Sequence, residues 1–154
     1  MRHSPVSLLF FFLFSSFFLP FVVADDLTIT GRLLFEGGQP IVPPGSFYYV
    51  ELRDISLMDA PSEVLDVYIG EIDKIKENNT FSFTLTLKEE ERRKRTRNHL
   101  AISAVLNRGW QRQEGGDEWI RKGDYSNEYI ETVHVPKEGN TINNFLVHMR
   151  QYNY

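Results

Sequence analysis

Between Phe81 and Leu87 the chain reads Phe-Ser-Phe-Thr-Leu-Thr-Leu, large apolar residues alternating with hydroxyl residues. A period of two sends successive side chains to opposite faces of an extended strand, so this segment has one dry face and one wet face. The dry face must be covered by a second layer. Most of the chain repeats the theme. Leu27 to Phe35, Phe47 to Ile55, Leu100 to Leu106, Glu118 to Ile120, Tyr129 to Val135 and Ile142 to Met149 are short apolar or alternating runs, with Tyr48, Val50 and Leu52 on one face of the second. Val64 to Ile72 fits two periods. Val64, Tyr68 and Ile72 lie at helical spacing and Leu65, Val67 and Ile69 at strand spacing; the β-branched content and Gly70 favour strand.

Turn-forming residues punctuate these runs at Glu36–Pro40, Pro43-Pro44-Gly45 and Met58–Pro61. Leu100 to Leu106 is the most apolar and reads as a central strand. The pattern predicts an all-β domain, a single antiparallel β-sandwich of about seven to eight strands without internal repeats or an interdomain linker. One short charged helical connector is expected near 88–98, too polar to be buried.

The first 24 residues are different in kind. Arg2 and His3 precede the apolar runs Leu8–Phe14 and Phe17–Val23, Pro20 interrupts the second, and Val22-Val23-Ala24 leads into Asp25-Asp26. A positive start, an apolar middle and small residues before an acidic pair describe a secretory signal peptide cut after Ala24. The alternative is an uncleaved anchor, but the apolar stretch falls short of the roughly 20 residues that span comfortably. Residues 1–24 are thus expected to be a leader and 25–154 the domain, exported and secreted (periplasmic in a bacterial host), with no stable membrane insertion after cleavage. Residues 25–154 carry 16 basic and 21 acidic groups, a formal charge of −5. That charge excludes a globally basic nucleic-acid binder. The chain has no cysteine, so disulfides, thiolate metal sites and a thiol nucleophile are excluded. A domain of about 130 residues buries enough surface to fold without staples.

Signatures of catalysis are sparse. His99, His134 and His148 form no H-x-H or H-E-x-x-H arrangement and read as wet-face or rim histidines. There is no G-x-S-x-G elbow. Glu114-Gly115-Gly116-Asp117 lacks the lysine and following helix of a phosphate loop and reads as a hairpin turn between Trp110 and Trp119. Asp54, Asp59 and Glu63 surround one turn; they do not follow an EF-hand order and read as solvated. No cofactor, no metal and no enzymatic activity are expected.

Two features carry processing information. Asn78-Asn79-Thr80 is an N-x-S/T sequon in a polar turn, which makes Asn78 the glycosylation candidate. Lys88 to Arg97 holds Glu89, Glu90 and Glu91 four residues before Arg93, Lys94 and Arg95, the favourable order for helix ion pairs. The bland reading is a solvated connector. The alternatives are a heparin-like polyanion site on Arg92, Arg93, Lys94, Arg95 and Arg97, or convertase cleavage after Arg95.

Pro43-Pro44-Gly45-Ser46, Val50-Glu51-Leu52-Arg53-Asp54-Ile55-Ser56 and Met58-Asp59-Ala60-Pro61 together resemble the YbaY/YscW-like family of small bacterial lipoproteins, which includes type III secretion pilotins. The likeness continues through Phe81–Leu87, Leu100–Leu106 and Gly109 and covers roughly residues 29 to 135. It implies a small non-enzymatic β-sandwich outside the inner membrane, in which the turn at Asp54 and Asp59 is structural. Family members are typically lipid-anchored through a cysteine that this chain lacks, so the anchor-dependent pilotin role is not carried over.

The expectation is therefore a secreted, non-catalytic binding or assembly module whose unknown partner is a protein or a glycan, engaged through a sheet edge or loop surface. Tyr48, Tyr49, Trp110, Trp119 and Tyr125 are either an aromatic recognition surface or core filling. The alternatives are a polyanion binder acting through 92–97 and an extracellular hydrolase whose carboxylates meet only in the fold.

Overall fold

The computed structural model describes residues 25–57, 61–73, 81–94, 99–127 and 129–154. Eight strands and one helix follow in the order β1 (Leu27–Phe35), β2 (Ser46–Asp54), β3 (Glu63–Ile72), β4 (Ser82–Leu87), α1 (Glu89–Lys94), β5 (Leu100–Asn107), β6 (Tyr125–Ser126), β7 (Glu131–Val133) and β8 (Thr141–Gln151). The ambiguous run 64–72 is a strand, and the charged connector is a single helical turn and a half with no buried residue. Hydrogen-bonded neighbours run β3-β2-β5-β6-β8-β1-β4, with β7 also on β5. The two-residue β6 links two lobes, β3-β2-β5-β7 on one side and β8-β1-β4 on the other.

The dry faces of both lobes meet in one core. Leu27, Ile29, Leu33 and Phe35 of β1, Val50 and Leu52 of β2, Phe83, Leu85 and Leu87 of β4, Leu100, Ile102 and Leu106 of β5, and Val147 and Met149 of β8 are all buried together. Each of these sets follows the period of two that the sequence displays, because burial of the apolar face fixes strand register. In β5 both faces are covered, as its apolar composition suggested.

One strand pairing departs from the antiparallel expectation. β1 pairs β4 antiparallel but β8 in parallel, Thr28 against Thr141 through Phe35 against Met149. Strand direction leaves no trace in an alternating pattern, and a parallel pair needs only a long enough connection, here everything between β1 and β8. The β1–β8 register shifts between Ile29 and Gly31. There Asn144 takes a left-handed φ of 59°, and Gly31 leaves room for the Phe145 carbonyl and the Phe83 ring. A second departure lies at Glu118–Ile120, which is irregular chain; the turn at Glu114-Gly115 joins no strands.

β3 and β4, the two ends of the sheet path, face each other without a backbone ladder. Side chains close the seam. Asp66 Oδ2 accepts the Thr86 amide at 2.6 Å, and the Tyr48 hydroxyl donates to the Ser82 carbonyl at 2.8 Å. Burial, then the neighbouring Tyr68, pushes the Tyr48 pKa well above that of a free phenol, so it remains a donor. Both bonds take backbone groups of the β4 edge, an amide and a carbonyl, out of reach of edge-to-edge pairing. Asp66→Ala is expected to lower stability by about 1–2 kcal/mol, the cost of losing a charged acceptor from a part-buried amide. Asp66→Asn, which keeps an acceptor, should lose less; urea unfolding of the two variants checks the order.

The family-like motif has a physical reading here. Ser46 is fully buried, and its hydroxyl donates to the Pro43 carbonyl at 2.6 Å while accepting the Gly109 amide at 2.8 Å. It thus clasps the Pro-Pro-Gly turn to the loop after β5. Asp54 Oδ1 accepts the Ser56 amide at 2.8 Å, the Asx turn that structural use of this aspartate requires. Asp59 lies outside the described residues.

Candidate functional site

Three rows of the outward face of β2, β3 and β5 line the site, beyond a row of Glu71, Phe47 and Asn107. Ile69, Tyr49 and Val105 stand side by side, then Val67, Glu51 and Ser103, then Val64, Arg53 and Ala101. In these three rows charged groups occupy only the middle strand and apolar or small groups flank it. On the edge strand, Val64, Val67 and Ile69 are 42%, 43% and 57% exposed, so this face of the sheet carries an uncovered apolar strip.

The irregular chain from Arg108 to Asp124 folds over the other side of the same face. Its fastening is the Asp124 carboxylate, which is buried. It accepts hydrogen bonds from the amides of Arg108 and Arg121 (both 2.8 Å), from Asn107 Nδ2 (3.0 Å) and from Trp110 Nε1 (3.1 Å). The Arg121 guanidinium lies over the Trp110 ring at 4.0 Å. The lid then delivers Arg112 onto the sheet, its guanidinium 4.1 Å from the centre of the Tyr49 ring and its amide on the Tyr49 hydroxyl at 3.2 Å.

Between lid and sheet lies an open cleft of about 310 Å³ lined by Tyr49, Glu51, Arg53, Ser103, Val105, Arg112 and Trp119. A second hollow of about 250 Å³ shares Arg53 and Ser103 and extends the first past Ala101 and Asn127 to Ile130. Glu51 sits between two guanidiniums, bonded to Arg53 at 2.6 and 2.7 Å and 3.7 Å from Arg112 Nη1. Arg53 also donates to Ser62. Arg112 uses Nε on Asn107 Oδ1 at 3.2 Å, while its terminal nitrogens donate no hydrogen bond within the described residues. Burial is the largest influence on it and pulls its pKa below the ordinary arginine value; the nearby Glu51 and Tyr49 act in the opposite direction. The cleft holds two cations and one carboxylate, an excess of positive charge on an acidic protein.

The fold resembles that of a solved pilotin. An alternative pilotin from the type II secretion system of Vibrio cholerae superposes with a TM-score of 0.57 at 18% identity, over 84% of this chain and 100% of that one. No family model matches the sequence, and no curated protein does. The likeness concerns the fold, and it agrees with the small all-β domain that the resemblance at residues 43–61 implied.

The five aromatics divide. Tyr48 and Tyr125 belong to the core, packed on Phe81 and Phe35 respectively at ring distances of 5.5 and 5.2 Å. Tyr49, Trp110 and Trp119 belong to the cleft and its lid. Of the basic run, Arg92 donates to the carbonyls of Pro136 and Gly139, Arg93 pairs with Glu89, and Lys94 pairs with Glu91 at 2.8 Å. These cations therefore have intramolecular partners, while Arg95 and Arg97 lie outside the described residues. So do Asn78 and the cleavage position after Ala24. His99, His134 and His148 are exposed, and His148 Nδ1 meets Glu131 at 2.9 Å. No cluster of three ligating side chains occurs among the described residues.

The sequence hid Glu51, Arg112 and Asp124 as site residues. Glu51 and Arg53 alternate with core residues, which marks them as wet-face positions without saying what would cover them. Arg112 and Asp124 lie in irregular chain where no periodicity applies. The one usable signal was the aromatic pair Trp110 and Trp119 flanking a Gly-Gly turn, an apolar investment that a solvated hairpin does not need.

Proposed function

We propose that this chain is an exported, non-catalytic module of the YbaY/YscW-like kind that binds a protein partner on the outer face of β2, β3 and β5. The observation that carries the reading is the uncovered strip of Val64, Val67 and Ile69 running beside the cleft, with half-exposed Trp119 on the lid side. Apolar edge-strand residues and a solvent-facing tryptophan next to a formed cleft are features of recognition surfaces. The pilotin-like fold supports the reading, since a pilotin belongs to a secretion system rather than to an enzyme class.

A photo-crosslinker placed at position 67 in the native host tests it. A discrete protein adduct is expected from that position and none from Thr84, on the wet face of the other lobe; equal labelling from both overturns the proposal. Export is part of the same reading. The intact mass and N-terminal sequence of the native protein should show a chain beginning at Asp25 and glycan mass on Asn78 in a glycosylating host. A chain that retains Met1 would remove export with cleavage from the proposal. Asp26 already serves the folded domain, accepting the Glu89 amide at 3.0 Å and pairing with Lys88 at 2.7 Å, so cleavage one residue earlier leaves the domain intact.

A further inference from the structure

We propose that the cleft between the lid and β2–β5 recognises a carboxylate side chain of a partner held in extended conformation, with Arg112 as the recognising group, Arg53 engaging the Glu51 carboxylate that would otherwise compete for it, and the Val67–Ile69 strip taking the partner's neighbouring apolar side chains. The inference rests on the protein-binding reading and names the chemistry of the partner.

Arg112 is held where a ligand can use it and is left incompletely bonded. Its stem is fixed by the Tyr49 ring and by Asn107, its side chain is 19% exposed, and its two terminal nitrogens lack hydrogen-bond acceptors among the described residues. Glu51 is too far from it for a hydrogen bond and is already engaged by Arg53. A planar guanidinium with unused donors accepts a carboxylate with two parallel bonds. Two cations line the cleft against one carboxylate, and the nearby Asp124, which also acts on Arg112, is buried and taken up by four donors, so the accessible groups present positive charge on a chain of net charge −4 and favour an anionic partner.

The shape selects a through-going segment. The two hollows share Arg53 and Ser103 as walls and follow one another as a trough along β5 from Val105 to Ala101. That is about 13 Å, room for about four extended residues at 3.3 Å each. A segment lying along the trough alternates its side chains, so a carboxylate directed at Arg112 has apolar neighbours two residues away on the same face, in reach of the edge strip. Arg112 and the hollows lie on the outward face of β2 and β5, so the partner is placed on that face and not on the β3 edge.

A short fluorescein-labelled peptide with one central glutamate and a valine two residues to either side of it (Val-Thr-Glu-Thr-Val), amidated at its C-terminus, tests this by fluorescence anisotropy. Saturable binding is expected, weakening about tenfold for the peptide with glutamine in place of glutamate, about tenfold for Arg112→Gln, and markedly as salt rises from 50 to 500 mM. Arg53→Gln is the second variant, in case Arg112→Gln loosens the lid, and near-UV circular dichroism reports whether the lid is intact. Arg32→Gln, on the opposite lobe, should change nothing. Equal binding of the glutamine peptide, or binding indifferent to both cleft arginines, overturns the carboxylate assignment. If binding then still falls with Val67→Asp, the face binds by its apolar strip and the protein-binding reading survives. A glutamine peptide that binds only with a free C-terminus would assign the cleft to chain ends instead and overturn the through-going segment.

Discussion

Replacing Asp124 by alanine should cost about 3–5 kcal/mol and lower the melting temperature by about 10–15 °C. The carboxylate is 2% exposed and receives two backbone amides, the Trp110 indole N–H and the Asn107 amide. Alanine leaves the two amides and the indole N–H without an acceptor, while Asn107 Nδ2 keeps only the Trp119 carbonyl, and each buried orphan costs about 1–3 kcal/mol before the chain relaxes. Relaxation sets the upper bound, because the Arg108–Gly123 chain can peel away and let water satisfy the amides. The variant is therefore expected to fold, with rapid amide exchange throughout the lid and little change in β1, β4 or β8. Asp124→Asn separates charge from shape. Both carboxylate oxygens accept hydrogen bonds, so whichever position the new NH₂ takes confronts at least one donor, and a loss of about 2 kcal/mol is expected. Calorimetry with exchange read residue by residue decides the matter: a melting temperature close to that of the parent would end the account of Asp124 as the fastening of the lid.

The same variant couples stability to binding. Arg112 reaches Tyr49 only because the lid holds it there, so a loosened lid withdraws the cation from the cleft without altering any cleft residue. Asp124→Ala should thus weaken the valine–glutamate peptide as severely as Arg112→Gln does, while Arg32→Gln, on the opposite lobe, should not.

Much of the fold was legible because burial writes itself into a strand's alternation. Tyr48, Val50 and Leu52, or Phe83, Leu85 and Leu87, are apolar at every second position because the other face is wet, and no other arrangement satisfies both. The short helix was legible through its i,i+4 charges, although only the Arg93–Glu89 pair has that spacing among the described contacts and Lys94 turns to Glu91 instead. The parallel β1–β8 pairing was not legible, because a strand's pattern reads the same in either direction. The cleft was nearly invisible for a different reason. It is assembled by a carboxylate from the end of one loop, an arginine from its middle and two wet-face residues of a strand, brought together only by the path of the chain. Trp119 shows the limit clearly: Glu118-Trp119-Ile120 has the composition of a strand and is lid, since Asn107 Nδ2 donates to the Trp119 carbonyl and Asp124 accepts the amide that follows the segment, that of Arg121, in place of a ladder.

Gly70→Ala should cost about 2–4 kcal/mol in the natural background and should reverse sign when Tyr48 is shortened. Gly70 lies inside β3 with ordinary extended backbone, so no left-handed conformation demands glycine. What demands it is the Tyr48 ring, against which a Cβ at this position would overlap Cε1 and Cζ. The ring is not free to yield. Its hydroxyl bonds the Ser82 carbonyl across the seam, and its edge packs on Phe81 at 5.5 Å and Tyr68 at 5.8 Å. Accommodating one methyl means either abandoning the seam bond or displacing the end of β3, and overpacking of this kind costs about 1–3 kcal/mol in addition to the lost hydrogen bond. Tyr48→Leu keeps apolar volume in the core but withdraws the ring tip. In that background alanine meets no obstruction, and the ordinary preference of a strand for alanine over glycine should gain about 0.5 kcal/mol. Urea unfolding of the two single variants and the double variant measures the coupling directly. A Gly70→Ala penalty that stays the same with and without the tyrosine ring would place its cause elsewhere in β3 and remove Tyr48 as the reason this edge strand contains a glycine.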